Sequence, residues 1–220
     1  MGREIDYLRV SVTDRCNLRC RYCMPGGVPS VEHAEVLRYE ELLRLCDLAA
    51  GLGIHAFKVT GGEPLVRRDC MSFLAELKKL RGVEQVTLTT NGILLPDHLE
   101  ALRTAGVDGI NVSLDTLDDG LYSSLTGAPP GTAALVWRAA EASAAMGIHT
   151  KLNAVLLPET VEGIVELTAA ADTVPADIRF IELMPIGAGK GRKGLPASEA
   201  LERLRTRWPD LEPTGERRGN

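Results

Sequence analysis

Six short runs rich in β-branched and apolar residues, each followed by a longer segment of helical period, constrain this chain more than any other feature. Strands are expected at Leu8–Thr13, Ala56–Thr60, Gln85–Thr90, Gly109–Leu114, Thr150–Leu156 and Ile178–Leu183. Helices are expected near Tyr39–Leu52, Asp69–Leu80, Asp97–Ala105, Gly131–Met146 and Val161–Ala171, where apolar residues recur at three- and four-residue spacing. Gly53, Gly82, Gly106 and Gly147 follow the first four of these, at the place where a helix wants a left-handed C′ residue. An unbroken βα alternation implies one parallel sheet with right-handed crossovers.

Parity along the strands sharpens this. Arg9, Ser11 and Thr13 share one face of the first strand, Lys58 and Thr60 of the second, and Thr87, Thr89 and Asn91 of the third. Asn111, Ser113 and Asp115 follow on the fourth, and Lys151 and Asn153 on the fifth. The opposite faces carry Val10 and Val12, Phe57 and Val59, Leu152 and Ala154. Parallel sheets packed on both sides read apolar throughout. A polar inner face therefore predicts an α/β fold of the partial-barrel kind, open around a wet cavity. Residues 1–185 would form this core. Residues 186–220 would add a flexible loop (Gly187–Pro196), a short helix (Ala197–Thr206) and a polar tail, the start of a missing or truncated C-terminal region.

A length of 220 residues suits one domain, and a net charge of −5 argues against a general affinity for nucleic acid or anionic membrane. No run approaches the roughly 20 apolar residues of a membrane span, and no secretory h-region opens the chain, so a cytoplasmic location is expected. Five cysteines, three of them within eight positions, speak for a metal or cluster site in a reducing compartment, not a disulfide framework.

Those three are Cys16, Cys20 and Cys23, in Cys-Asn-Leu-Arg-Cys-Arg-Tyr-Cys-Met-Pro directly after the first strand. Three thiolates at this spacing can bind three irons of a [4Fe–4S] cube, which ordinarily takes four, and so leave one iron open to a small ligand. The amino and carboxylate groups of S-adenosylmethionine (SAM) would chelate that iron, and reductive cleavage would give a 5′-deoxyadenosyl radical. The alternatives are a structural zinc knuckle, with His33 as a weak fourth ligand, or three unrelated core cysteines. Cys46 and Cys70, on helical segments, read as buried structural thiols.

Further motifs fall at the same edge. Thr60-Gly61-Gly62-Glu63-Pro64 follows strand two, and its paired glycines allow close backbone approach. Thr89-Thr90-Asn91-Gly92, Ser113-Leu114-Asp115, Asn153 and Met184-Pro185 complete a ring around one mouth. Arg9, Lys58, Lys151 and Arg179 point into it by parity, and four converging cations suit a nucleoside triphosphate. The plain alternative pairs each with a carboxylate such as Asp115 or Glu182.

The blocks LRVSVTDRCNLRCRYCMP, KVTGGEPLVRRD, LTTNGILL, AGVDGINVSLDTLD, KLNAV and IRFIELMPIG, in this order, resemble the molybdenum-cofactor GTP 3′,8-cyclase family of radical SAM enzymes. The resemblance implies a partial (β/α)6 barrel, a [4Fe–4S] cluster on Cys16, Cys20 and Cys23, and SAM contacts by Tyr22, Gly62, Thr89, Ser113 and Met184. It implies GTP contacts by Arg9, Lys58, Lys151 and Arg179, with abstraction of the ribose 3′-hydrogen and attack of the carbon radical on C8. Beyond the nucleotide, the expected partners are an electron donor such as flavodoxin or ferredoxin and, as an option, a second copy in a homodimer; neither nucleic acid nor membrane is expected. Two departures stand out. Ala56 occupies a position that is basic in some members, and no cysteine follows Cys70, whereas the family holds a second [4Fe–4S] cluster on three C-terminal cysteines. Two other readings follow: a single-cluster radical SAM enzyme acting on another nucleotide-like or phosphorylated substrate, and a non-catalytic cluster-binding fragment.

Overall fold

A computed structural model describes residues 5–28, 31 and 35–215. His33 and residues 216–220 lie outside the described set. The strands are β1 (Tyr7–Ser11), β2 (Ala56–Thr60), β3 (Gln85–Thr90), β4 (Gly109–Ser113), β5 (His149–Leu156) and β6 (Ala176–Glu182). All pair in parallel, in sequence order, so that β1 and β6 form the two edges of one sheet. The helices are α1 (Tyr39–Gly51), α2 (Cys70–Lys79), α3 (Leu99–Thr104), α4 (Asp119–Thr126), α5 (Thr132–Ala145), α6 (Ile164–Ala171) and α7 (Ala197–Arg205). This is the partial (β/α)6 barrel that parity suggests.

The alternation decides which face is covered. Val10, Phe57, Val59, Val86, Leu88, Val112 and Leu152 are buried in the core together with Leu42, Phe73, Leu77, Leu102 and Val136 from the helices. Each such side chain contributes about 1.5–3 kcal/mol on burial, and this outer face supplies the drive to fold. The inner face buries the polar side chains of Lys58, Thr87 and Asn111. The glycines expected to end four helices all take positive φ, from 74° at Gly106 to 100° at Gly53.

The structure corrects four expectations. A helix, α4, fills the stretch after β4 that sequence patterning passes over. Its eight residues are Ser-, Thr- and Gly-containing and weak helix formers. They are held by the Asp118 side chain, which accepts from Leu121 N at the N-cap, by Gly127 at φ 72°, and by the buried Tyr122 and Leu125. Asp69 lies outside α2 in the left-handed region, φ 63°, and the helix opens on Cys70. Where helices were expected from Asp97 and Val161, 3-10 turns at Leu95–His98 and Pro158–Gly163 precede the shorter α3 and α6. The segment Gly187–Pro196 is tied down and not a free loop. It contains a 3-10 turn, Leu195 N–H donates to the Leu156 carbonyl at 3.1 Å, and Leu195 joins a second small core with Leu156, Ile164, Ala200 and Leu204. That core seats α7 on α6 and β6. No helix among the described residues is long and apolar enough to cross a membrane.

Candidate active site

The cysteine loop leaves β1 and is gripped from three sides at the C-terminal edge of the sheet. Arg19 and Arg21 N–H groups donate to the Thr126 and Leu125 carbonyls at the C-terminus of α4, each at 2.8 Å. These are carbonyls a helix end leaves without an internal partner. The Tyr22 hydroxyl donates to Asp115 Oδ2 at 2.5 Å, and Asp115 Oδ1 accepts from Val155 N at 2.9 Å, so one buried carboxylate joins the loop to β5. On the third side Gly62 N–H donates to the Thr13 carbonyl at 2.7 Å and Glu63 N–H to that of Arg15 at 2.8 Å. A Cβ on Gly61 would lie 2.5 Å from the Thr13 oxygen, and one on Gly62 2.4 Å from the Asp14 and Arg15 oxygens. Close backbone approach is indeed what the glycine pair permits, and the backbone that approaches is the cysteine loop itself.

Glu63, the next residue, is 1% exposed. Its Oε1 accepts from Leu65 N at 3.0 Å and from Thr90 Oγ1 at 2.8 Å, while Oε2 accepts from Asn91 N at 2.6 Å. Burial raises its pKa and these three donors oppose the rise. The glutamate of the Gly-Gly-Glu-Pro turn is therefore a clamp between the loops after β2 and β3. Arg67 plays a similar part nearby. Its guanidinium donates to the Val12 and Leu37 carbonyls and stacks on the Tyr39 ring, 4.1 Å from its centroid. Sequence patterning points to neither role.

Cys16 and Cys20 are half-buried and Cys23 is exposed; all three are free thiols. Burial first, then the charges of Asp115, Cys16 and Cys23, push the Cys20 thiol up to about 12, and burial and Cys16 push Cys23 in the same direction. Three bare thiolates beside a carboxylate repel one another, and only a cationic centre offsets this. Among the described residues no three His, Cys, Asp or Glu side chains converge on a position for a single metal ion. A cube takes each thiolate on a different iron and needs no such single point. Cys46 and Cys70, at 1% and 3% exposed, are the buried structural thiols expected. Burial raises them to about 11 and about 12.

Below this mouth the four predicted cations do meet. Arg9 pairs in register with Lys58, Asn111 with Lys151, and Asn153 with Arg179. Lys58 is 3% exposed, lies 5.6 Å from the Tyr7 ring centroid, and is brought down to about 8 by burial and then by Arg179, Arg9 and Lys151. The carboxylates first considered as partners are engaged elsewhere, Asp115 as described and Glu182 by Ala197 N at 2.7 Å. Asp177, which stands in register with Lys151 on β6, is its ion-pair partner at 4.0 Å. On the same inner face, Asn111 Oδ1 and Asn153 Oδ1 are buried with no hydrogen-bond partner. Buried acceptors are normally satisfied, and these two are open to an N–H or O–H donor from solvent or a ligand.

Of the residues tied to SAM by resemblance, Thr89 and Ser113 stand on the inner face at the C-terminal ends of β3 and β4, both half-buried. Tyr22 is committed through its hydroxyl, Gly62 through its N–H, and Met184 follows β6 with 60% of its surface exposed. A loop of thiols beside a polar inner face with open acceptors fits an iron–sulfur cluster with a nucleoside-bearing ligand.

A family model, the Radical SAM superfamily, matches residues 10–171. A GTP 3′,8-cyclase of Heliobacterium modesticaldum is 48% identical over 197 residues, covering 87% of this chain and 59% of that protein. One from Moorella thermoacetica is 44% identical over 216 residues, covering 96% and 66%. The chain thus spans about three fifths to two thirds of the length of these curated relatives. Among solved structures, Streptococcus suis SuiB bound to S-adenosylmethionine superposes with TM-score 0.77 at 22% identity, over 93% of this chain and 47% of that one. The structure of anSMEcpe with bound AdoMet superposes with TM-score 0.69 at 20% identity, over 92% and 59%. Both share the fold of the described barrel. With its cysteine loop after β1, its glycine-glutamate clamp after β2 and a family match across most of the barrel, the chain belongs to the radical SAM superfamily, which works with a [4Fe–4S] cluster and SAM.

Proposed function

We propose that this chain is the barrel of a GTP 3′,8-cyclase of molybdenum-cofactor biosynthesis. Cys16, Cys20 and Cys23 ligate the [4Fe–4S] cluster. Tyr22, Thr89, Ser113, Met184 and the Gly62 carbonyl border SAM, and Arg9, Lys58, Lys151 and Arg179 hold the GTP triphosphate. When bound and reduced, the cluster and SAM together supply a 5′-deoxyadenosyl radical. The protein's own part is to hold the nucleotide by its phosphates so that the ribose C3′ faces the mouth, and to offer Asn111 and Asn153 as acceptors along the cavity wall. The observation that carries this reading is Lys58, buried on the inner face and lowered first by that burial and then by Arg179, Arg9 and Lys151. Asp177 offsets part of this charge at Lys151, and a polyanion bound on the inner face relieves the repulsion that still lowers Lys58. An electron donor of the flavodoxin or ferredoxin type belongs to the same reading.

The test is GTP deuterated at C3′, given to anaerobically reconstituted, reduced protein with SAM. Deuterium in the 5′-deoxyadenosine formed is expected. Undeuterated 5′-deoxyadenosine, formed at the same rate with and without GTP, would favour a different phosphorylated substrate. No cleavage of SAM at all would leave a cluster-binding fragment.

A further inference from the structure

Among the described residues Asn91 is the one side chain outside the cysteine loop with an identified hydrogen bond to Cys16, Cys20 or Cys23, and its geometry leaves little freedom. Its Nδ2 lies 3.8 Å from Cys16 Sγ, within reach for a sulfur acceptor, and 2.7 Å from Asn17 Oδ1. Its Oδ1 accepts from Ile93 N at 3.1 Å. An amide whose oxygen faces a backbone N–H must turn its NH2 the other way, here toward Cys16, so the flip is settled by the partners. The residue is 9% exposed and its own N–H is held by Glu63 Oε2. Leu18 N–H adds a second donor to the same sulfur at 3.4 Å.

We propose that Asn91 is a positioning residue that sets the reduction potential of the cluster through Cys16. This rests on the reading that Cys16 is a cluster ligand. Reduction adds an electron whose charge is shared with the ligating sulfurs, and a hydrogen bond donated to such a sulfur stabilises the reduced form more than the oxidised one. Asn91 is suited to this because the Glu63 clamp fixes its backbone from the loop after β2, while its side chain reaches the loop after β1. The Gly-Gly-Glu-Pro turn and the Thr-Thr-Asn-Gly turn thereby act as one device, one delivering the carboxylate that anchors the other.

The experiment compares wild type, Asn91→Ala and Asn91→Asp after anaerobic reconstitution, without SAM, by iron content, circular dichroism and an EPR-monitored redox titration. Asn91→Asp keeps the acceptor for Ile93 and replaces the donor by a carboxylate oxygen. Both variants should retain their iron. The one-electron reduction constant should fall about tenfold for Asn91→Ala, which corresponds to about 59 mV to more negative potential, and further for Asn91→Asp. Asn17→Ala, which removes only the second partner of the amide, should move it less and in the same direction. Unchanged potentials in both Asn91 variants would overturn the proposal. So would loss of iron from both with unchanged circular dichroism, since Asn91 would then be a support for the loop and nothing more. Failure of the underlying reading shows separately, as a Cys16→Ala variant that keeps its full iron.

Discussion

Where the cysteine loop is gripped, Glu63, Thr90, Asn91 and Asp115 all find their partners inside the protein. Further along the same inner face, Asn111 and Asn153 keep buried oxygens without partners, and Lys58 sits among like charges. In the first region these four side chains are spent on holding one loop in one place, with the buried Tyr122 hydroxyl left over beside them. The second is unfinished in a specific sense, because two of its acceptors and its buried Lys58 carry costs that no protein group on the inner face offsets in full. On this inner face the satisfied groups hold the loop, and Asn111 and Asn153 stay open toward the strands that carry the cations. Buried hydroxyls of Tyr122 and Ser123, in the helical layer, also lack partners, so an open polar atom points to a ligand only together with its place on the inner face.

The largest effect that would break this comparison concerns the loop being held. If Cys16, Cys20 and Cys23 are what the scaffolding presents, changing any one to Ala removes a cluster ligand that no other described side chain replaces. Anaerobically reconstituted wild type should bind about four irons per chain, and each of these three variants should lose them. Cys46→Ala and Cys70→Ala should keep the iron, because both thiols are buried away in the helical layer. A colourless protein with one zinc would end the cluster reading.

How much of this was open to sequence reading differs between the two regions in the same way. The inner-face cations were legible because strand parity is strict: a residue two places on from Arg9 or Lys151 must return to the same face. The glycine ends of the helices were legible for a similarly local reason. What patterning missed is non-local. Glu63 and Asn91 are 28 residues apart in the chain, and nothing in their immediate neighbours says that one accepts from the other. Helix α4 was missed because its propensity is weak and its stability comes from burial of Tyr122 and Leu125 and from the loop amides that meet its last carbonyls. Its local signals, Asp118 before it and Gly127 after it, were there to be read. Ligand assignments for Gly62 and Tyr22 needed the structure for a different reason, since both are partly used up in holding the loop.

A sharper test compares one residue from each region by stability alone. Glu63→Ala leaves three donors without their carboxylate, and at about 1–3 kcal/mol for each orphaned donor it should cost about 3 kcal/mol or more. Asn153→Ala deletes an acceptor that already lacks a partner, and its cost should stay under about 1 kcal/mol. Urea unfolding of the iron-free proteins, side by side, keeps metal binding out of the comparison. Comparable losses from the two would show that satisfaction of the polar atoms does not distinguish the regions.

The smallest expected effect is a pH dependence, and its sign follows from Lys58. On β2 it faces Arg9 from β1, Lys151 from β5 and Arg179 from β6, with the Tyr7 ring beside it and Asp177 next to Lys151. Burial and these cations lower its pKa from 10.5 to about 8. A bound triphosphate favours the charged form and raises the pKa again. Below about pH 8 the ammonium is already present and affinity should be flat. Above it, binding must first restore a proton, so affinity should fall, by at most about tenfold per pH unit. The unliganded protein should show the opposite trend in stability. Between about pH 8 and 10.5 the unfolded chain holds the Lys58 proton and the folded one does not, so this residue's contribution to stability rises with pH across that window. Lys58→Met removes both slopes at once. Measuring triphosphate Kd and urea midpoints for wild type and Lys58→Met from pH 7.5 to 9.5 isolates them as differences. If the two proteins lose affinity in parallel, the titrating group lies elsewhere, and the crowding of cations on this inner face is not what the nucleotide relieves.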